Sequence, residues 1–104
     1  MRVAVASTNG KTINSHFGKA KTFYVYDIGD SGIIYLEKRK SAGYASSDPM
    51  HAFRVEQFDK VYKVIEDCGA LYVKQIGAVP AERLRSLGIQ VKQTDGEIMS
   101  VLGL

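Results

Sequence analysis

With one cysteine, two prolines and no tryptophan, this chain leaves several kinds of protein out of reach. A single thiol cannot build an intrachain disulfide framework, and no CxxC or HExxH spacing exists to close a zinc site. After Met1 the run Arg2-Val3-Ala4-Val5-Ala6 merely alternates and has no apolar signal core, so a reducing cytoplasm is the expected compartment. No apolar stretch approaches the roughly 20 residues needed to cross a bilayer. A strong excess of either charge is also missing: 14 Lys plus Arg against 11 Asp plus Glu leave +3. That tolerates an anionic ligand but falls short of a nucleic-acid footprint. Neither nucleic acid nor membrane is therefore an expected partner.

What is present is an ordinary globular composition, 45% hydrophobic and 24% charged over 104 residues, enough for one core. No repeat, low-complexity stretch or Pro/Ser-rich linker divides it, and residues 1–104 read as a single domain. Arg2–Ala6 carries β-branched Val3 and Val5 and stops at Ser7-Thr8-Asn9-Gly10, so it reads as a strand delivering a loop that lasts to about Lys21. Thr22–Ile28 and Ile33–Arg39 flank Gly29-Asp30-Ser31-Gly32, an expected antiparallel hairpin. Asp48-Pro49 has the form of a helix N-cap followed by proline, with apolar positions through Ile65 near helical spacing; a start nearer Val55 fits almost as well. Ala70–Lys74 reads as a buried strand. Val79-Pro80-Ala81-Glu82 opens a second helix, with Pro80 at its start, Glu82 in the positive first turn and Leu84 and Leu87 as its apolar stripe. Ile89–Gln93 is a last strand, and Gly96–Leu104 puts Ile98, Val101 and Leu102 on one helical face, to pack on the sheet or on a second subunit as a homodimer. Strand, helix, strand in this span predicts a parallel crossover. The fold class is then α/β: a mixed sheet covered by helices, with the loops after Ala6 and Lys74 on one edge, where open α/β sheets bind ligands.

Chemistry concentrates between Ser7 and Lys21. From Gly10 to Thr22 this segment holds Lys11, His16, Lys19 and Lys21 and no acid. A hydroxyl-rich, glycine-bearing basic loop suits an anion, through backbone N–H groups and local positive potential; a solvated loop whose lysines aid solubility is the plainer alternative. Gly10-Lys11-Thr12 echoes only the end of a Walker loop. His16, beside Phe17 and Gly18, could ligate a metal or donate to an anion. His51 follows the small-residue loop and is a candidate auxiliary ligand. Cys68, in Glu66-Asp67-Cys68-Gly69, offers a soft ligand for iron–sulfur species, although two neighbouring carboxylates would raise its pKa and a packing role is the plainer reading. Catalytic machinery is not found: Arg2–Ala6 has no acid, the hairpin offers only Asp27 and Glu37, and no GxSxG elbow occurs. Lys38-Arg39-Lys40 reads as a solvated strand end blunted against aggregation.

The opening Val3-Ala4-Val5-Ala6-Ser7-Thr8-Asn9-Gly10, the His16-Phe17-Gly18 triplet, Phe23-Tyr24-Val25-Tyr26-Asp27, Asp67-Cys68-Gly69-Ala70 and Ile76-Gly77 with Pro80, Leu84 and Gly88-Ile89 together resemble the dinitrogenase iron–molybdenum cofactor biosynthesis family. The likeness runs in order along nearly the whole chain. It implies a ribonuclease H-like fold with a five-stranded mixed sheet in order 3-2-1-4-5. It also implies non-catalytic binding of the anionic iron–molybdenum cofactor or an iron–sulfur precursor cluster, with cofactor-assembly or recipient proteins as partners. The expected site is Ser7, Asn9, Gly10, Lys11, His16, Phe17, Gly18 and Lys19, with His16 the leading metal ligand and Cys68 the second. A regulatory or protein-interaction module using the apolar tail or the Ile89–Gln93 edge is the alternative of another class.

Overall fold

The computed structural model describes residues 1–41 and 55–103. In chain order the elements are β1 (Arg2–Ala6), β2 (Thr12–Ile13), a 3-10 turn (Phe17–Lys19), β3 (Thr22–Gly29), β4 (Gly32–Lys40), α1 (Val55–Ile65), β5 (Ala70–Val73), α2 (Ala78–Ser86), β6 (Gln90–Gln93), β7 (Gly96–Glu97) and α3 (Ile98–Leu102). The main sheet runs β4-β3-β1-β5-β6, and β2 and β7 form a small sheet of their own. β1 lies at its centre, antiparallel to β3 and parallel to β5. Val3, Ala4, Val5 and Ala6 are all fully buried, as a strand covered on both faces requires.

Side chains alternate along β1 between two cores. Ala4 and Ala6 join Phe17, Phe23 and Val25, the α1 residues Phe58, Val61 and Ile65, and Leu84 of α2. Val3 and Val5 point the other way and pack with Ile13, Tyr26, Ala70 and the α3 residues Ile98 and Leu102. One face thus carries the two longer helices; the other carries the short α3 and the small sheet.

The expected hairpin forms, with Gly29 opposite Gly32 and only Asp30 and Ser31 between them. Gly32 takes φ 114° there, a conformation that glycine adopts without Cβ strain. The parallel pairing of β5 with β6 around α2 also matches expectation.

Several local readings need correction. Pro80 stands at the third position of α2, where its missing N–H is still among those a helix start leaves unpaired, and Glu82 lies beyond the first turn. Leu87 is 45% exposed because it caps the helix rather than facing the sheet. Gly96–Glu97 leaves the tail to pair with Thr12–Ile13, a contact too short for any periodicity to announce. The remaining tail packs Ile98 and Leu102 against the sheet in this chain's own core, the first of the two roles expected for its apolar stripe. The Asp48-Pro49 start of the first helix lies outside the described residues.

Candidate functional site

β1, β5 and β6 run in the same direction, so their carboxyl ends share one rim. The segment Ser7–Lys21 follows β1 there. It begins on the α3 side, where Ile13 is buried, and crosses the rim to the α1 side, where Phe17 and Ala20 are buried. Backbone bonds fix the crossing: Phe17 N–H donates to Gln75 O at 2.8 Å and Lys74 N–H to Ser15 O at 3.1 Å. His16 and Gln75 form an isolated parallel bridge, extending the pairing past the end of β5.

The first half of the loop is organised by its own side chains. Buried Ser7 accepts the amides of Asn9 and Gly10 through Oγ, at 3.2 and 3.0 Å. Asn9 Oδ1 accepts those of Lys11 and Thr12, at 2.8 and 3.0 Å, and Asn14 Oδ1 accepts that of Thr8 at 3.0 Å. Such Asx-type turns are what short polar side chains do at strand ends. Gly10 sits at φ 72°, where a Cβ would come within 2.8 Å of the Tyr24 ring; its glycine serves ring packing. In the second half, Gly18, Lys19 and Ala20 amides find His16 Nδ1, His16 O and Phe17 O. The amides of residues 8–12 and 17–20 are therefore all engaged within the protein, and the expected backbone cradle for an anion is not formed.

Nor do the lysines converge. Lys11 belongs to the α3 side, its carbonyl accepting Ile98 N–H, and it lines a hollow of about 420 Å³ with Gly10, Thr12, Glu97 and Met99. Lys19 ends the 3-10 turn across the rim, and Lys21 lies where its carbonyl accepts Ser41 N–H, beside the β3–β4 pair. What the second half does present is His16. It is half-buried, it caps the 3-10 turn with Nδ1 at 3.0 Å from Gly18 N, and no described residue bonds its Nε2. Phe17, fully buried against Phe23 and Phe58 with ring centroids 6.3 Å apart in each pair, is a core anchor for that ring and not a contact surface.

Cys68 is elsewhere. It precedes β5, next to Gly69, whose N–H bonds Arg2 O at the start of β1, whereas His16 lies past the end of β5. The seven residue steps from Cys68 to Gln75, which pairs with His16, span about 20 Å of extended chain, so the two cannot share a metal. The thiol is 4% exposed, and burial, reinforced by Asp67, pushes its pKa up to about 11. It stays protonated at neutral pH, which is unsuited to a soft thiolate ligand. Among the described residues no three of His, Cys, Asp and Glu gather as a metal cluster, and His51 lies outside them.

Asp67, at the opposite rim, is the hub of a network that sequence reading missed. Arg39 does not end in solvent: its guanidinium forks onto Asp67 at 2.6 and 2.9 Å and also donates to Val64 O at 2.8 Å. Arg2 adds a third bond to Asp67 at 2.6 Å. The Arg39 hydrogen bond, with help from Arg2, holds the Asp67 carboxyl well below the usual carboxylate range despite its partial burial. The clamp joins β4, β1 and the end of α1. Its only sequence trace is opposite charges far apart in the chain.

An α/β domain with a rigid loop and one available imidazole nitrogen at the carboxyl rim of its parallel strands has the form of a small-ligand binding domain. Comparison with known proteins gives the class a family. The sequence model for the dinitrogenase iron-molybdenum cofactor family matches residues 1–103, and the chain belongs to that family. Relatives include the FeMo cofactor biosynthesis protein NifB of Bradyrhizobium diazoefficiens, 34% identical over 88 residues and 85% of this chain, 17% of that protein. The NifB of Sinorhizobium fredii is 35% identical over 100 residues, 92% of this chain and 19% of that protein. The chain spans about a fifth of the length of these relatives. Among solved structures, the crystal structure of PH0822 superposes with a TM-score of 0.73 at 23% identity, covering 99% of this chain and 87% of that one. An NMR structure from Thermotoga, described under the NifB name, gives 0.64 at 17%, covering 98% and 84%. At these identities both speak for the fold alone.

Proposed function

We propose that this chain is a non-catalytic carrier for an anionic iron–sulfur cluster, either the iron–molybdenum cofactor or a precursor of it, held as cargo at the rim that presents His16. Family membership makes cofactor biosynthesis the setting, and the observation that carries the site is His16 with Nε2 unpaired among the described residues, on a loop tied to the end of β5. Lys19, three residues after His16 at the end of the same 3-10 turn, would offset cluster charge. We read the sheet order β4-β3-β1-β5-β6 as the ribonuclease H-like arrangement. Cleavage by two metals on such a sheet needs carboxylates from neighbouring strands. β1 supplies none, Asp27 pairs with the amino terminus and Glu37 with Arg39, which supports a binding role. No helix of the described residues is long and apolar enough to cross a membrane, and we place the hand-over to assembly or recipient proteins in the cytoplasm.

Anaerobic incubation of the apo-protein with isolated iron–molybdenum cofactor, followed by desalting, tests this reading. Iron should co-elute with the chain and give charge-transfer absorption, with weaker retention by His16→Ala. A wild-type chain that retains no iron would overturn it.

A further inference from the structure

We infer that His16 meets its cargo as a hydrogen-bond donor through Nε2–H, and that the loop's own bond to Nδ1 keeps the imidazole from serving as a metal ligand. The cargo half of this rests on the reading above; the state of the ring does not.

Gly18 N–H donates to His16 Nδ1 at 3.0 Å. An accepting nitrogen must carry a lone pair, so the Nδ1–H tautomer does not fit this geometry: it would set two N–H donors face to face. The neutral ring then carries its proton on Nε2. Metal-ligating histidines have the opposite arrangement, with one nitrogen on the metal and the other giving its N–H to an acceptor. Here the other nitrogen is itself an acceptor, so metal on Nε2 would require loss of its only proton, and metal on Nδ1 would displace the Gly18 amide.

The surroundings resist either change. Turning the ring over would leave a C–H against the Gly18 amide, and that residue is buried. Moving the whole segment would break the Phe17–Gln75 and Lys74–Ser15 bonds and lift Phe17 from between Phe23 and Phe58. A fixed Nε2–H is suited to an acceptor-rich anion, such as a cluster's sulfides or its terminal anionic groups, because donation to a charged acceptor is the stronger kind of hydrogen bond. It is unsuited to a bare divalent cation. A cluster held in this way can leave without ligand exchange at iron.

Nitrogen-15 NMR of the wild-type apo-chain tests the ring directly. The expected pattern is a pyridine-like Nδ1 and a pyrrole-like Nε2, and the reverse pattern overturns the inference. Titration with Co²⁺ should give the same absorption changes for wild type and His16→Ala; a His16-dependent cobalt band overturns it. The third arm uses a thiolate-capped four-iron, four-sulfide cluster as probe. His16→Gln, whose amide N–H reaches near the Nε2 position, should stay within about threefold of wild-type affinity, while His16→Ala should lose about tenfold. A Gln variant no better than Ala overturns donation as the role. Failure of the wild type to hold the probe, with the tautomer and cobalt results as expected, overturns the cargo reading alone.

Discussion

The two rims of the sheet carry the two segments that look most like motifs, His16-Phe17-Gly18 and Asp67-Cys68-Gly69, and they have opposite characters. At the carboxyl rim every loop amide from 8 to 12 and from 17 to 20 is engaged, yet one imidazole nitrogen is left without a partner among the described residues. At the other rim the charges are paired with one another: Asp67 takes bonds from both Arg39 and Arg2, and Cys68 beside them is buried. A polar cluster that answers all of its own charges is a fastener. A polar segment that engages these amides and leaves an imidazole nitrogen over is what the proposed cargo site needs. Residue types alone do not separate the two cases; their partners do.

The largest test of this contrast is Phe17→Ala, at the ligand rim. Phe17 is fully buried between Phe23 and Phe58, and truncating such a ring costs about 4 kcal/mol. Denaturant unfolding should show that loss, and the His16 rim should lose its order with it. A loss below about 1 kcal/mol would mean that the triplet's phenyl ring is not the anchor described. Next comes Asp67→Ala at the fastening rim. It removes three guanidinium hydrogen bonds and a weaker one from Cys68 Sγ, and leaves Arg39 with Glu37 and Val64 O alone. Asp67 is more than a third exposed, so solvent screening reduces the effect to about 2 kcal/mol. The sign of its pH dependence follows from a carboxyl held below its unfolded pKa of about 3.9. The contribution is whole above that pH and drains away as pH falls further. Stability measured from pH 5 down to pH 2 should therefore fall more steeply for wild type than for Asp67→Asn, and equal slopes would deny the clamp its role.

A smaller effect is expected from Gly10→Ala in the first half of the loop. The φ of 72° and the Tyr24 ring 2.8 Å from any Cβ together make it about 2 kcal/mol destabilising at most, with the His16 half of the loop little changed. A variant that keeps full stability but loses cargo binding would move the site to the Gly10 side and reverse the division within the loop.

Much of the fold could be read before the coordinates because its signals are local. Alternation in Arg2–Ala6, the glycines around Asp30-Ser31 and the apolar spacing through Ile65 each depend on residues within one turn or one pleat. The mixed sheet follows from them. The site was less legible because its deciding facts are long-range or a matter of hydrogen-bond direction. Nothing in Lys11, Lys19 and Lys21 reveals that the loop crosses the rim and parts them. Nothing in Ser7 and Asn9 says whether their neighbours' amides face a guest or their own side chains, although Ser, Asn and Gly at a strand end are the Asx-turn residues and could have raised the second possibility. Arg39 sits in a basic run that looks solvated, and its partner Asp67 is 28 residues away. Pro80 and Leu87 were misplaced by one or two residues for the ordinary reason that helix ends depend on capping more than on pattern.

The finest test of the contrast concerns the thiol. If Cys68 belongs to a fastener, it should be chemically quiet. Its pKa of about 11, set first by burial and then by the neighbouring Asp67, leaves very little thiolate at pH 8, and the thiolate is the reactive form. Alkylation of the folded chain by iodoacetamide at pH 8 should be at least tenfold slower than that of an unstructured cysteine peptide, whose pKa is about 8.5. The rate should recover on unfolding in urea. Cys68→Ala should cost about 1 kcal/mol and leave cluster affinity where it was. A thiol that reacts as fast as the peptide, or an alanine variant that loses the cluster, would put a ligand at the fastening rim and erase the difference between the two ends of the sheet.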